Sequence, residues 1–224
     1  MRFSIFWVVL FFLFNGVSVV RLVADNDFQS WQWLSLHLYQ KNGFKSHIYA
    51  DNRMADSVSQ EKLYLIGPRL HYRVSEPMSV GLGYLFLNIH DLNTDVWRKE
   101  HRVENELNFH FTLADKWTFH QRNRFEWRWQ ESIDQPSYRM RSRFQLRYKT
   151  NFGRLKSVYA NNEFFWDIDS KDYSENRAIP LGLQFKLTTA LDFNLFYMIQ
   201  SLHTAKSRSW KSNHILGTHL NYRF

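Results

Sequence analysis

Charged side chains recur at every second position through the middle of the chain. Arg102, Glu104 and Glu106 form one such set; Arg122, Arg124, Glu126 and Arg128 form the next, followed by Arg139, Arg141, Arg143, Arg147 and Lys149. A period of two puts each set on one face of an extended strand. Guanidinium and carboxylate groups spaced this way can do two kinds of chemistry. Forked hydrogen bonds between arginine and glutamate lock neighbouring strands together. An arginine excess instead attracts anions and repels cations. With Glu163 included, these sets hold nine cations against four carboxylates, so both readings stay open.

Other chemistry has less to work with. There is no cysteine, which removes disulfides, thiolate metal sites and cysteine nucleophiles. The ten histidines are scattered, and none falls in a His-Glu-x-x-His or comparable metal spacing. No metal or cofactor is expected. There is no Gly-x-Ser-x-Gly elbow and no glycine loop that would cradle a phosphate. The best candidates for a hydrolase site near a rim are His203 with Ser201, and Asp167 with Asp169, although each reads far more readily as a solvated loop residue. The chain is therefore not expected to be an enzyme.

The elements that must position these residues are strands. The chain of 224 residues is 18% aromatic and 22% charged, with 20 Phe, 11 Tyr and 9 Trp, so rings and charges must occupy separate surfaces. In 102–113 the even positions are polar and the odd ones include Val103, Leu107, Phe109 and Phe111; the runs 117–130 and 138–149 repeat that pattern. Strands are predicted over 28–40, 44–54, 61–74, 79–89, 98–113, 117–130, 138–149, 155–166, 175–187, 191–200 and 212–224. Short turns such as Asn42-Gly43 and Asn151-Phe152-Gly153 alternate with longer gaps at 90–97, 131–137, 167–174 and 201–211. That spacing describes an antiparallel meander with one trimmed rim and one elaborated rim.

Alternation alone does not say which face is inside. A soluble barrel buries the apolar face, whereas a membrane barrel turns it to lipid and lines its interior with the polar face. Three features favour the membrane. Most predicted strands reach the ~9–11 residues that a tilted crossing needs. Trp31, Trp33, Trp117, Trp129, Trp166 and Tyr222 lie toward strand ends, as an aromatic girdle would. The last strand places Leu216, Leu220, Tyr222 and the terminal Phe224 on one face. An alternating final strand that ends in Phe resembles the assembly signal of bacterial outer-membrane barrels, with Leu220, Tyr222 and Phe224 as the residues read by the assembly machinery.

Residues 1–24 read as a signal peptide: Arg2 precedes a short apolar run, Phe3 to Phe14, that is too short for a spanning helix. Cleavage near Ser18 is an alternative. Residues 25–224 then form one all-β domain, an up-and-down transmembrane barrel. Bacterial single-chain barrels close with an even number of strands, and eleven candidates are counted, so the expectation is twelve strands, with ten as the alternative. Residues 19–27 would supply the twelfth.

Several spaced groups carry a family resemblance. They are Trp97-x-x-Glu100-x-Arg102, Arg122-x-Arg124-x-Glu126-x-Arg128 and Tyr138-Arg139-x-Arg141-x-Arg143, then Asn162-Glu163, Asn176-Arg177 with Gly182-Leu183, and Tyr197-Met198-x-Gln200. This set resembles the domain-of-unknown-function family numbered 2490, a resemblance that covers the chain from about Trp31 to Phe224. The resemblance implies an outer-membrane β-barrel of Gram-negative bacteria and carries no catalytic or binding residues with it.

The functional expectation is an outer-membrane barrel whose lumen holds an Arg/Glu lattice, with a structural or interaction role. An anion-preferring pore or small-solute transporter is the alternative, and an outer-membrane hydrolase the third. The expected partners are membrane lipid and lipopolysaccharide, whose phosphates Lys206, Arg208 and Lys211 could meet, and the barrel assembly machinery. Nucleic acid is excluded despite the basic pI, because the cations alternate with apolar side chains instead of forming a stacking patch.

Overall fold

The computed structural model describes residues 27–131, 133–204 and 209–224. They form strands β1 (Asp27–Lys41), β2 (Phe44–Ala55), β3 (Gln60–Arg73), β4 (Met78–Asp91), β5 (Val96–Ala114), β6 (Trp117–Gln130), β7 (Ser137–Phe152), β8 (Leu155–Asp167), β9 (Asp172–Lys186), β10 (Leu191–Thr204) and β11 (Ser209–Arg223). Each strand pairs antiparallel with its successor, and β1 pairs with β11 to close the barrel. The hairpin between β1 and β2 turns at Asn42 and Gly43, whose φ of 52° and 83° suit a two-residue reverse turn.

The ring among the described residues has eleven strands, not twelve or ten. Segment 28–40 is a full wall strand, and no second strand stands between it and β11. Hairpins reverse direction at every step, so an odd count makes the first and last strands run the same way. The seam is accordingly parallel, from Asp27 opposite Asn213 to His37 opposite Arg223. The expected twelfth strand at 19–27 and the signal at 1–24 lie outside the described residues, except for Asp27, which opens β1.

One rim carries the connections at 42–43, 74–77, 115–116, 153–154 and 187–190 together with Phe224. The other carries Asp27, the connections at 56–59, 92–95 and 168–171, and the facing ends of β6 with β7 and of β10 with β11. The long gaps expected at this second rim are shorter than predicted: the ladder runs on through 90–91, 96–97, 137, 167, 172–174 and 201–204, past the point where apolar alternation stops.

The faces are inverted relative to a soluble core. Ile66 and Leu82 point outward and are each 52% exposed, while Glu104 and Glu126 point inward and are 0% exposed. Trp117, Trp129 and Tyr222 are on the outside. Trp31 is not part of a girdle: odd positions of β1 face the lumen, and Trp31 is buried there, with Trp33 packed against the same cluster. Two glycines make room for that cluster. A Cβ on Gly182 would sit 2.2 Å from the Tyr159 ring, and one on Gly217 would sit 2.0 Å from the Phe196 ring. The rings therefore lie flat over bare backbone on the neighbouring strand. A second apolar cluster, Leu63, Leu65, Leu85 and Leu87, lines the lumen on β3 and β4.

Candidate functional site

Inward positions of β3 and β5–β9 interlock at the middle of the lumen and toward the rim that carries Asp27. Glu100 accepts hydrogen bonds from Arg102 (2.8 Å from Nε), Arg128 (2.8 Å) and Gln130 (2.8 Å). Glu104 accepts from Arg69 (2.7 Å) and Arg124 (2.9 Å), and Arg124 also donates to Glu106 (2.8 Å). Glu126 accepts from Arg139 (2.9 Å) and Arg141 (2.7 Å). Glu163 accepts from Arg122 (2.7 Å) and Arg141 (3.1 Å). Glu175 accepts from Arg177 and Gln200, both at 2.5 Å.

Two of these bonds skip a strand, from β3 to β5 and from β6 to β8, and there the side chains cut across the curve of the wall. Aromatic rings extend the network. Arg141 and Arg177 lie 4.4 and 4.6 Å from the centre of Phe165, and Arg53 and Arg177 lie 3.8 and 4.9 Å from Trp31. Guanidinium groups stacked on rings and forked onto carboxylates satisfy buried charge in the way its desolvation demands.

Toward the other rim the lumen opens. A cavity of about 590 Å³ is lined by Arg122, Arg143 and Arg147 on one wall and by His47, His71 and His219 on the other. A second cavity, about 1100 Å³, shares His37, Lys45, His47, His71 and His120 with it and reaches the 74–77 turn. Neither is lined by Glu100, Arg128, Arg139 or Glu175. The histidines form a ladder: the rings of His37 and His47 are 5.2 Å apart, and those of His47 and His71 are 5.5 Å apart and tilted by only 12°. His110 and His120 are register partners with ring centres 6.0 Å apart. Among the described residues no group of three or more His, Asp or Glu side chains is placed to hold a metal ion.

Of the lumen set read from the sequence, Arg102, Glu104, Glu106, Arg122, Arg124, Glu126, Arg128, Arg139, Arg141 and Glu163 meet in the lattice. Arg143 and Arg147 do not: Arg147 contacts the neutral Ser157 and Gln184, and Arg143 makes no hydrogen bond or ion pair among the described residues. Sequence reasoning missed Arg69, Glu100, Glu175 and Arg177 as lattice members, although the inward parity of β5 and β9 would have found the last three. Leu220, Tyr222 and Phe224 are exposed on the outer face of β11 and beyond its end.

The residues weighed for hydrolysis take separate partners. His203 Nδ1 lies 3.0 Å from Asp172, Ser201 bonds Ser212, Asp167 accepts from Ser170, and Asp169 accepts from the Tyr138 amide. Lys211 lies in β11 opposite Leu202, not in a loop; Lys206 and Arg208 are outside the described residues.

A family model described as "Protein of unknown function (DUF2490)" matches residues 28–211. The chain belongs to this family. The DUF2490 chain is also 22% identical over 200 residues to an uncharacterized protein of Methylorubrum extorquens, covering 86% of each. A solved structure, an anion-selective porin from Comamonas acidovorans, aligns with 81% of the DUF2490 chain at 9% identity and a TM-score of 0.39. The chain spans about half the length of that porin, 54%.

Proposed function

We propose that this protein is an outer-membrane β-barrel whose lumen is closed on one half by the arginine–glutamate lattice, with a structural or interaction role and no catalytic activity. The observation that carries the closed lumen is the cross-wall pairing of buried carboxylates, each shared between cationic or amide donors. The outward apolar surface supports the bilayer location, since such a face is soluble only when lipid covers it. Residues 1–24 act as the export signal. The assembly machinery pairs with β11, reading Leu220, Tyr222 and Phe224, and the rim with Phe224 faces the periplasm. The opposite rim meets lipopolysaccharide.

Planar-bilayer conductance across a salt gradient tests the closed lumen. A heat-modifiable barrel that inserts and stays silent supports the proposal. Discrete anion-preferring steps support the second reading, an anion pore, which the unmatched Arg143 and Arg147 favour.

A further inference from the structure

The open half of the lumen holds cations that the barrel does not itself neutralise. Arg143 stands in register with Glu163 on one side and with Arg122 on the other. Glu163, however, is already engaged by Arg122 and Arg141. The other acids at the cavity are also engaged: Glu104 and Glu106 by Arg124, Asp51 by Arg53, and Asp192 by Arg223 at 2.5 Å and Lys156 at 3.7 Å, each aspartate through Oδ2 with its Oδ1 left without a hydrogen-bond partner. This leaves two guanidinium groups as direct cross-strand neighbours, and the Nε atoms of both Arg122 and Arg143 are buried without an acceptor. Like charges directly opposite on a sheet repel, and an orphaned buried donor is costly. Two rungs further toward the open rim, Arg147 adds a third guanidinium whose hydrogen-bond partners, Ser157 and Gln184, are neutral.

We infer that this vestibule binds a small soluble solute carrying a phosphate group, with its oxygens received by Arg122, Arg143 and Arg147. A phosphate brings more than one negative charge and several acceptor oxygens, so one group can bridge two guanidinium forks, where a halide satisfies no direction. The cavity of about 590 Å³ falls within the usual size of small-molecule sites and leaves room for an organic portion beside the His47–His71 stack. The site lies inside the ring, away from the lipid-facing surface, so its ligand arrives through the vestibule mouth rather than from the bilayer. It does not depend on the closed-lumen reading. A conducting barrel would overturn that reading and leave this one to be decided by binding.

The test is isothermal titration calorimetry on the purified full-length protein in detergent, with ribose 5-phosphate, ribose and citrate as separate titrants. The expected result is saturable binding of ribose 5-phosphate, no binding of ribose and much weaker binding of citrate. Arg143→Gln should weaken the sugar phosphate by about tenfold or more, the loss expected when a hydrogen bond to a charged group goes, and Arg143→Lys should recover part of it. The heat-shifted gel band reports that each variant still folds. If Arg143→Gln loses that band, Arg147→Gln takes its place with the same expectation. No saturable heat, affinity unchanged in the folded variant, or citrate bound as tightly as the sugar phosphate would each overturn the assignment.

Discussion

The two halves of the lumen are built from the same strands and the same alternation, yet one is interlocked by ion pairs and the other opens into a cavity. The difference lies in where the acids stop. Along β5 the inward positions run Glu100, Arg102, Glu104 and Glu106, then change to Asn108 and His110. Along β8 the inward Glu163 gives way to Asn161 and Tyr159. On β7 the arginines run past that point, through Arg143 to Arg147. Matched acids turn a row of arginines into a scaffold. The same row without acids becomes a surface with charge to spare.

The comparison can be broken most severely in the packed half. Glu126 has 0% exposure and sits against Arg139 and Arg141. Glu126→Ala should cost about 3–5 kcal/mol, because it strands buried cations; the measurement is the urea midpoint of the heat-shifted gel band. Loss of less than about 1 kcal/mol would mean the lattice is not structural. A lysine at Leu82, on the outer face at the level of Glu104 and Glu106, should cost about 2–4 kcal/mol in lipid vesicles, the penalty of charge facing hydrocarbon. If Leu82→Lys were neutral in vesicles, the bilayer location would fall.

Smaller effects sharpen the contrast. Gly217→Ala should destabilise by about 1–3 kcal/mol through collision with Phe196, and Phe196→Leu in the same chain should relieve part of it. Additive losses in that double variant would show that the ring does not rest on the glycine. Arg143→Gln should shift stability by less than about 0.5 kcal/mol or raise it, because it removes an unpaired charge and breaks no ion pair. A loss there comparable to Glu126→Ala would erase the distinction between the halves.

Legibility in the sequence follows the same division. The lattice members on β5–β7 stand out because their opposite face is mostly aromatic or aliphatic, which gives period two its contrast. Arg69 was hidden because the inward face of β3 and β4 is itself apolar at Leu63, Leu65, Leu85 and Leu87, so alternation fades just where the charge enters. Trp31 and Trp33 misled for a related reason: in β1 the inward Trp31 and Trp33 alternate with the outward Leu34 and Leu36, so both faces carry apolar residues. Pairing of acids with bases was readable as a tendency, but the strand-skipping partners, such as Arg122 with Glu163, depend on the curvature of the closed wall. Strand number was the least accessible quantity, because closure joins residues at the two ends of the chain and no local pattern reports it.

The parallel seam constrains how this architecture can change over evolutionary time. Barrels grow or shrink by copying or deleting hairpins, and each such event adds or removes two strands. Parity is conserved through any number of them, so every descendant made that way keeps an odd ring and a parallel seam. Asp27 and Phe224 likewise remain at opposite rims. Joining the two ends to make a circularly permuted barrel would need a connector running the length of the wall, about 50 Å for a 15-residue strand such as β1, where an even ring would need only a turn.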